Sequence, residues 1–271
     1  MILSPDFTST AGSVLLVASA VAGLAYLLVA LTAQVGNRSR VLLLVGWLAH
    51  LVALFVDIAG VGLDHPGTRF GFAPALSATL WLVTSVYLVE SRFLPLGGAQ
   101  RVLAGLGVAV VLLAAAFQGV AHPSASPWAP LHWLLGLASY GLFGAAVLHA
   151  ALLHRAERVM RLKTLGDDNA GMPLLRLERL TFQFLTAGVC VLTLAIALGW
   201  SITTQWHWDH KNLLTVLSWI VFCGLLLGRW VFGWRGRLAT RWLYLGAVLL
   251  LLAYAGSRFV LEVILHRSFP A

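Results

Sequence analysis

The run AGSVLLVASAVAGLAYLLVALTAQV (Ala11–Val35), the polar step GNRSR (Gly36–Arg40) and the run VLLLVGWLAHLVALFVDIAGVGL (Val41–Leu63) decide the architecture. A helix rises about 1.5 Å per residue and the hydrocarbon core of a bilayer is about 30 Å thick, so about 20 apolar residues cross it. Both runs reach that length, and the step between them puts Arg38 and Arg40 where a chain would turn at a membrane face. Asp6 is the sole charge ahead of the first run, so no basic segment marks a cleaved signal peptide and the run reads as a retained membrane helix.

Six further runs follow: Phe72–Val89, Val102–Val120, Leu131–His154, Thr181–Thr204, Leu213–Phe232 and Trp242–Leu265. The third is the shortest and carries Pro74 near its start. No Ser/Pro-rich linker, composition shift or internal repeat divides the chain. The expectation is an all-α polytopic bundle of eight transmembrane helices forming a single membrane domain over residues 1–271. Composition agrees: 60% of the 271 residues are hydrophobic and 10% charged, with a mean hydropathy of +0.89. A soluble domain carries roughly a quarter charged residues, so lipid must be the solvent for much of this surface.

The net charge of +8 would point to nucleic acid in a soluble protein. Its distribution points elsewhere. Fourteen of the eighteen basic residues fall on the side of the first connection, from Arg38 and Arg40 through Arg92, Arg101 and Arg155–Arg179 to Arg229, Arg235, Arg237 and Arg241. Arg69, Lys211, Arg258 and Arg267 fall opposite. Basic loops stay in the cytoplasm. The alternation therefore argues against a nucleic-acid partner and predicts a multi-pass membrane protein with both termini outside. In the long basic connection, Asp167-Asp168-Asn169 and Gly171 mark a turn and Met172–Leu180 reads as a short interfacial helix.

Cys190 and Cys223 sit inside apolar runs without Cys-x-x-Cys spacing, which argues against a thiol–disulfide enzyme and a covalently attached haem. The nine histidines are the chemically suggestive residues. His50 lies about 13 Å inside the second run, near the bilayer midplane, where an ionisable group is costly and usually functional. Asp57, seven residues on, shares its face and either orients a ligand or pairs with Arg258. His132 opens the fifth run, with Ser139 and Tyr140 on its stripe, and His266 closes the eighth at the same boundary. Imidazoles at one level on two helices suit a metal or haem iron; helix-end histidines also serve simply as solvated anchors. His149 and His154 read as surface residues beside Arg155, while His65 and His122 lie beside prolines in outer loops. Arg258 and Glu262 are spaced for an i,i+4 ion pair. No nucleophile–base pair and no phosphate loop is present.

The most informative stretch is the outer loop at residues 205–212, with Trp206-His207-Trp208-Asp209-His210-Lys211 followed by Trp219. Boundary tryptophans commonly form an aromatic belt. Two indoles around an imidazole also make a stacking platform for a flat ring, and Lys211 suits a propionate. From Trp206 to Trp219 the sequence resembles the tryptophan-rich loop and following helix of the cytochrome c assembly family of haem-handling membrane proteins, whose pattern is W-x-W-D-P-K-E with a further Trp ten residues after the Asp. Met172–Leu185, Trp234–Arg237 and Ala253–Arg258 are more similar to the family's YpjD-type branch.

The resemblance implies a protein that binds non-covalent, b-type haem and presents it on the outer face for cytochrome c assembly, by delivery rather than turnover. It implies a haem-binding set of His50, His132, Trp206, Trp208, Asp209 and His266, with His50 and His132 as iron ligands; His210, which the family pattern lacks, is a further candidate ligand. Implied partners are the lipid bilayer, haem, and apocytochrome c or another cytochrome assembly subunit. This chain departs from the pattern: His210 replaces Pro, Asn212 replaces Glu, and the intramembrane histidine expected after the loop is replaced near Arg229. Two rivals stay open. One is an ion- or proton-coupled transporter using His50 and Asp57; the other is an accessory membrane subunit that no longer binds haem.

Overall fold

The computed structural model describes residues 10–32, 36–60, 68–93, 98–118, 120–122, 126–162, 174–203 and 208–264. Eight helices in it are long and apolar enough to cross a membrane: α1 (Thr10–Leu31), α2 (Asn37–Ala59), α3 (Phe72–Glu90), α4 (Ala99–Ala116), α5 (Ala129–Leu162), α6 (Leu174–Ile202), α7 (His210–Phe232) and α8, which spans Gly236–Ile264. Each run read from the sequence is therefore a helix. Pro74 falls in the first turn of α3, where its missing N–H costs no hydrogen bond. One expectation needs correcting. Met172–Leu180 is not a separate interfacial helix, because from Leu174 onward it is the start of α6, and Leu177 is fully buried while Leu175 is exposed.

The chain forms two compact units: residues 1–85, 97–129 and 254–271, and residues 86–96 and 130–253. In the first, α1 and α2 turn small or polar residues inward and large aliphatics outward. Ala18, Ala22, Ala25 and Tyr26 are buried on α1, whereas Leu16, Val17, Leu24 and Leu28 are exposed. With no water to escape in lipid, close contact between backbones drives association, and small residues permit it. Tyr26 shows the consequence. Its ring lies against Gly46 of α2 and Gly107 of α4, where an added Cβ would sit 2.9 and 2.7 Å from ring carbons. The indoles of Trp47 and Trp81 stack at 4.9 Å and tie α2 to α3, with Trp81 Nε1 donating to the Trp47 carbonyl at 3.0 Å. A short antiparallel pair that the sequence did not announce, β1 (Thr68–Phe70) with β2 (Val120–His122), joins two loops of this unit.

The second unit is centred on Phe143 and Phe222, whose rings stack at 4.0 Å, with Leu185, Leu225 and Leu243 around them. Arg229 donates to Glu178 at 3.0 Å and lies 3.5 Å over the Phe182 ring, so the arginine where the resemblance expects a histidine is held by an ion pair and an aromatic face. α8 is regular to Leu251 and then π-helical over Leu252–Gly256. The Tyr140 hydroxyl donates to the Leu250 carbonyl just ahead of that change, and a side chain inserted into the ladder is a recognised cause of such a shift.

Candidate functional site

Two histidine sites are built, one in each unit. In the second unit His132 stands in the first turn of α5, half-buried against α6. Its Nδ1 donates to the Ala195 carbonyl at 3.0 Å. A carbonyl only accepts, so the bond sets the tautomer and leaves the lone pair on Nε2. Among the described residues Nε2 has no hydrogen-bond partner. A glycine makes this seat possible: at Gly199 a Cβ would lie 2.9 Å from the ring's Cε1. The charge of Lys211, at the start of α7, acts on the same ring.

Lys211 belongs to the first turn of α7, and the described residues ahead of it are Trp208, Asp209 and His210. Asp209 is the N-cap of α7, its carboxylate accepting from the Asn212 backbone N–H at 2.8 Å. The Trp–Asp step therefore has a structural duty, since the cap starts the helix and fixes where the loop ends. Trp208 is 68% exposed and His210 is exposed as the first residue of α7. Trp219 is anchored through Nε1 to the Thr193 hydroxyl at 2.8 Å. Trp206 and His266 lie outside the described residues. Ser139 and Tyr140, on the stripe of His132, turn instead to the Gly136 and Leu250 carbonyls.

His50, in the first unit, is in the opposite situation. It is 1% exposed, and both ring nitrogens are engaged: Nδ1 with the Tyr26 hydroxyl at 3.2 Å and Nε2 with the Ser77 hydroxyl at 2.7 Å. Beside it is a narrow cleft, also lined by Asp57 and Ser77, that admits about one water molecule. Asp57 is 3% exposed, and its Oδ1 has no hydrogen-bond partner among the described residues. The alternative pairing of Asp57 with Arg258 does not form among the described residues. Arg258 meets Glu262 at 3.5 Å, as the i,i+4 spacing predicts, and the charge that acts on Asp57 is Arg69 on β1.

His149 requires a correction. It is not a surface residue but fully buried, with Nε2 on the Glu90 carboxylate at 2.5 Å, Nδ1 on the Ala145 carbonyl at 2.7 Å, and its ring stacked on Phe184. Sequence reasoning missed it because a histidine near a basic helix end looks solvated, and its partner lies 59 positions away.

The model for the family described as cytochrome C assembly protein matches residues 8–265. The chain belongs to the cytochrome c assembly protein family. Among its relatives, the inner membrane protein YpjD of Escherichia coli K12 is 34% identical over 149 residues, covering 54% of this chain and 56% of YpjD. The match thus spans little more than half the length of that relative. An uncharacterized 28.8 kDa protein of Azospirillum brasilense is 28% identical over 70% of this chain and 76% of its own. The cytochrome c biogenesis protein CcsA of Prochlorococcus marinus MIT 9303 is 24% identical over 65% of this chain and 68% of its own. No solved structure matches significantly. His132 offers an imidazole lone pair, Lys211 a charge that acts on that ring and Trp208 an exposed indole at the end of the loop. At His50 both ring nitrogens are hydrogen-bonded, and the neighbouring cleft is far smaller than a porphyrin.

Proposed function

We propose that this protein takes part in cytochrome c assembly by binding haem on the outer face of a bacterial inner membrane and passing it on, without catalysing a bond change itself. The observation that carries the reading is His132, whose Nδ1–H is committed to the Ala195 carbonyl while Nε2 keeps its lone pair beside Lys211. Metal-binding histidines are held in this way by their second nitrogen, which fixes the ring and raises its basicity. His132 is the iron ligand, Lys211 the propionate contact, and Trp206 and Trp208 the apolar surface for the ring. His210 is the candidate for a second ligand within this unit, and Asp209 acts by capping α7. His50 has no part in holding iron.

Bound haem would supply the cargo for a cytochrome, and the residues here bind and orient it. The fourteen-to-four division of basic residues supports the orientation that puts this end of α5 and α7 outside. An apocytochrome, or another assembly subunit, is the partner that fits an exposed haem platform.

The test is an absorption spectrum of detergent-purified protein, before and after hemin loading and dithionite reduction. Wild type should show a Soret band with reduced α and β bands. His132→Ala should lose or broaden them, while His50→Ala should retain them. A wild-type spectrum unchanged by His132→Ala would reject the assignment.

A further inference from the structure

We propose that the cleft beside His50 is an internal site for one proton and one water, in which Asp57 is held as the neutral acid and shares the water with the chain Tyr26–His50–Ser77. The inference does not rest on haem handling.

Asp57 lies two helical turns from His50 on one face of α2, and both line the same cleft with Ser77 of α3. The carboxyl is 3% exposed, its Oδ1 lacks a partner, and no ion pair to it forms among the described residues. A bare carboxylate is poorly tolerated there, and a buried acid answers by taking a proton. The groups facing it decide which cation it takes. From α1 come Leu15 and Ser19, and from α4 only Val111, Ala114 and Ala115. Arg69 on β1 is the one charge acting on it among the described residues, and its Nη1 is engaged with Gln118 Oε1 at 3.5 Å. Too few oxygens face the cleft to strip and replace the hydration shell of a metal cation. One water fits, and the cleft is polar enough to hold it.

The neighbouring chain suits proton exchange. Tyr26 and Ser77 hydroxyls each donate or accept, so His50 keeps both hydrogen bonds in either neutral tautomer. Either neutral tautomer is therefore compatible with the packing. A hydroxyl–imidazole–hydroxyl chain ending at a one-water cleft that is also lined by an acid is a storage site for a proton and a water.

Infrared spectroscopy of the purified full chain reads the site directly. At neutral pH the wild type should show a carboxylic-acid C=O band, downshifted in D2O, that disappears in Asp57→Asn and changes frequency in Ser77→Ala. Wild type labelled with 13C at the aspartate side-chain carbon should shift the same band, which keeps the test independent of how well any variant folds. A band insensitive to the label, no such band, or its replacement by carboxylate absorption on adding sodium chloride would each overturn the proposal. Hemin spectra are unaffected by these outcomes, so the two assignments stand or fall separately.

Discussion

An imidazole that donates from one nitrogen keeps the other for a ligand, and one that is bonded at both must give up a hydrogen bond to bind a metal. His132 and His50 divide along that line, and the division rests on their neighbours. Replacing Gly199 with Val would push atoms into a position already 2.9 Å from the His132 ring. The ring would leave the Ala195 carbonyl, and hemin affinity should fall about 10-fold or more, as for lost outer-shell support at metal sites; a hemin titration checks this. For His50 the exposed liability is polar. Ser77→Ala strands Nε2 in a buried position and should cost about 1–3 kcal/mol in detergent unfolding. Glu90→Ala strands His149, which is fully buried, and should cost a similar ~1–3 kcal/mol. None of these partners was legible in the sequence, since Ala195, Ser77 and Glu90 lie 63, 27 and 59 positions from their histidines.

Among the helices, the first unit is governed by how closely α1, α2 and α4 approach. Tyr26 fills the space that Gly46 and Gly107 leave, and its hydroxyl reaches His50 from there. Gly107→Leu should therefore overpack the contact and cost about 1–3 kcal/mol. Gly105→Ala, two residues away with nothing within 4 Å of the new methyl, should instead be neutral or stabilising by up to about 1 kcal/mol. Thermal unfolding of the pair separates packing from helix propensity, and equal effects would remove Tyr26 from its place as the wedge. Helix existence was plain in the sequence because each span is a long apolar run. Helix ends were less so. α6 begins well before its apolar run because Leu177 finds a buried seat there, and the π-helical stretch of α8 follows the Tyr140 bond to Leu250, which no local pattern encodes.

For the molecule as a whole, a membrane protein's orientation is set by the cost of carrying basic loops across. With fourteen basic residues on one side and four on the other, alkaline phosphatase fused to the C-terminus should be active in cells, and the same enzyme fused between α5 and α6 inactive. The reverse pattern would move His132 and Lys211 to the cytoplasmic face and remove the basis for outward presentation. By itself the sequence determined that the chain is an eight-helix membrane protein, because bilayer thickness and the solvation cost of charge act on local composition. It also carried the family, because the tryptophan-rich loop is contiguous. Only the tertiary structure decided which histidine has a nitrogen to spare, that Asp57 Oδ1 has no hydrogen-bond partner among the described residues, and that His149 is buried. Those outcomes depend on which helices approach one another and how closely, and short-range hydrogen bonds between distant positions leave no periodic trace in the chain.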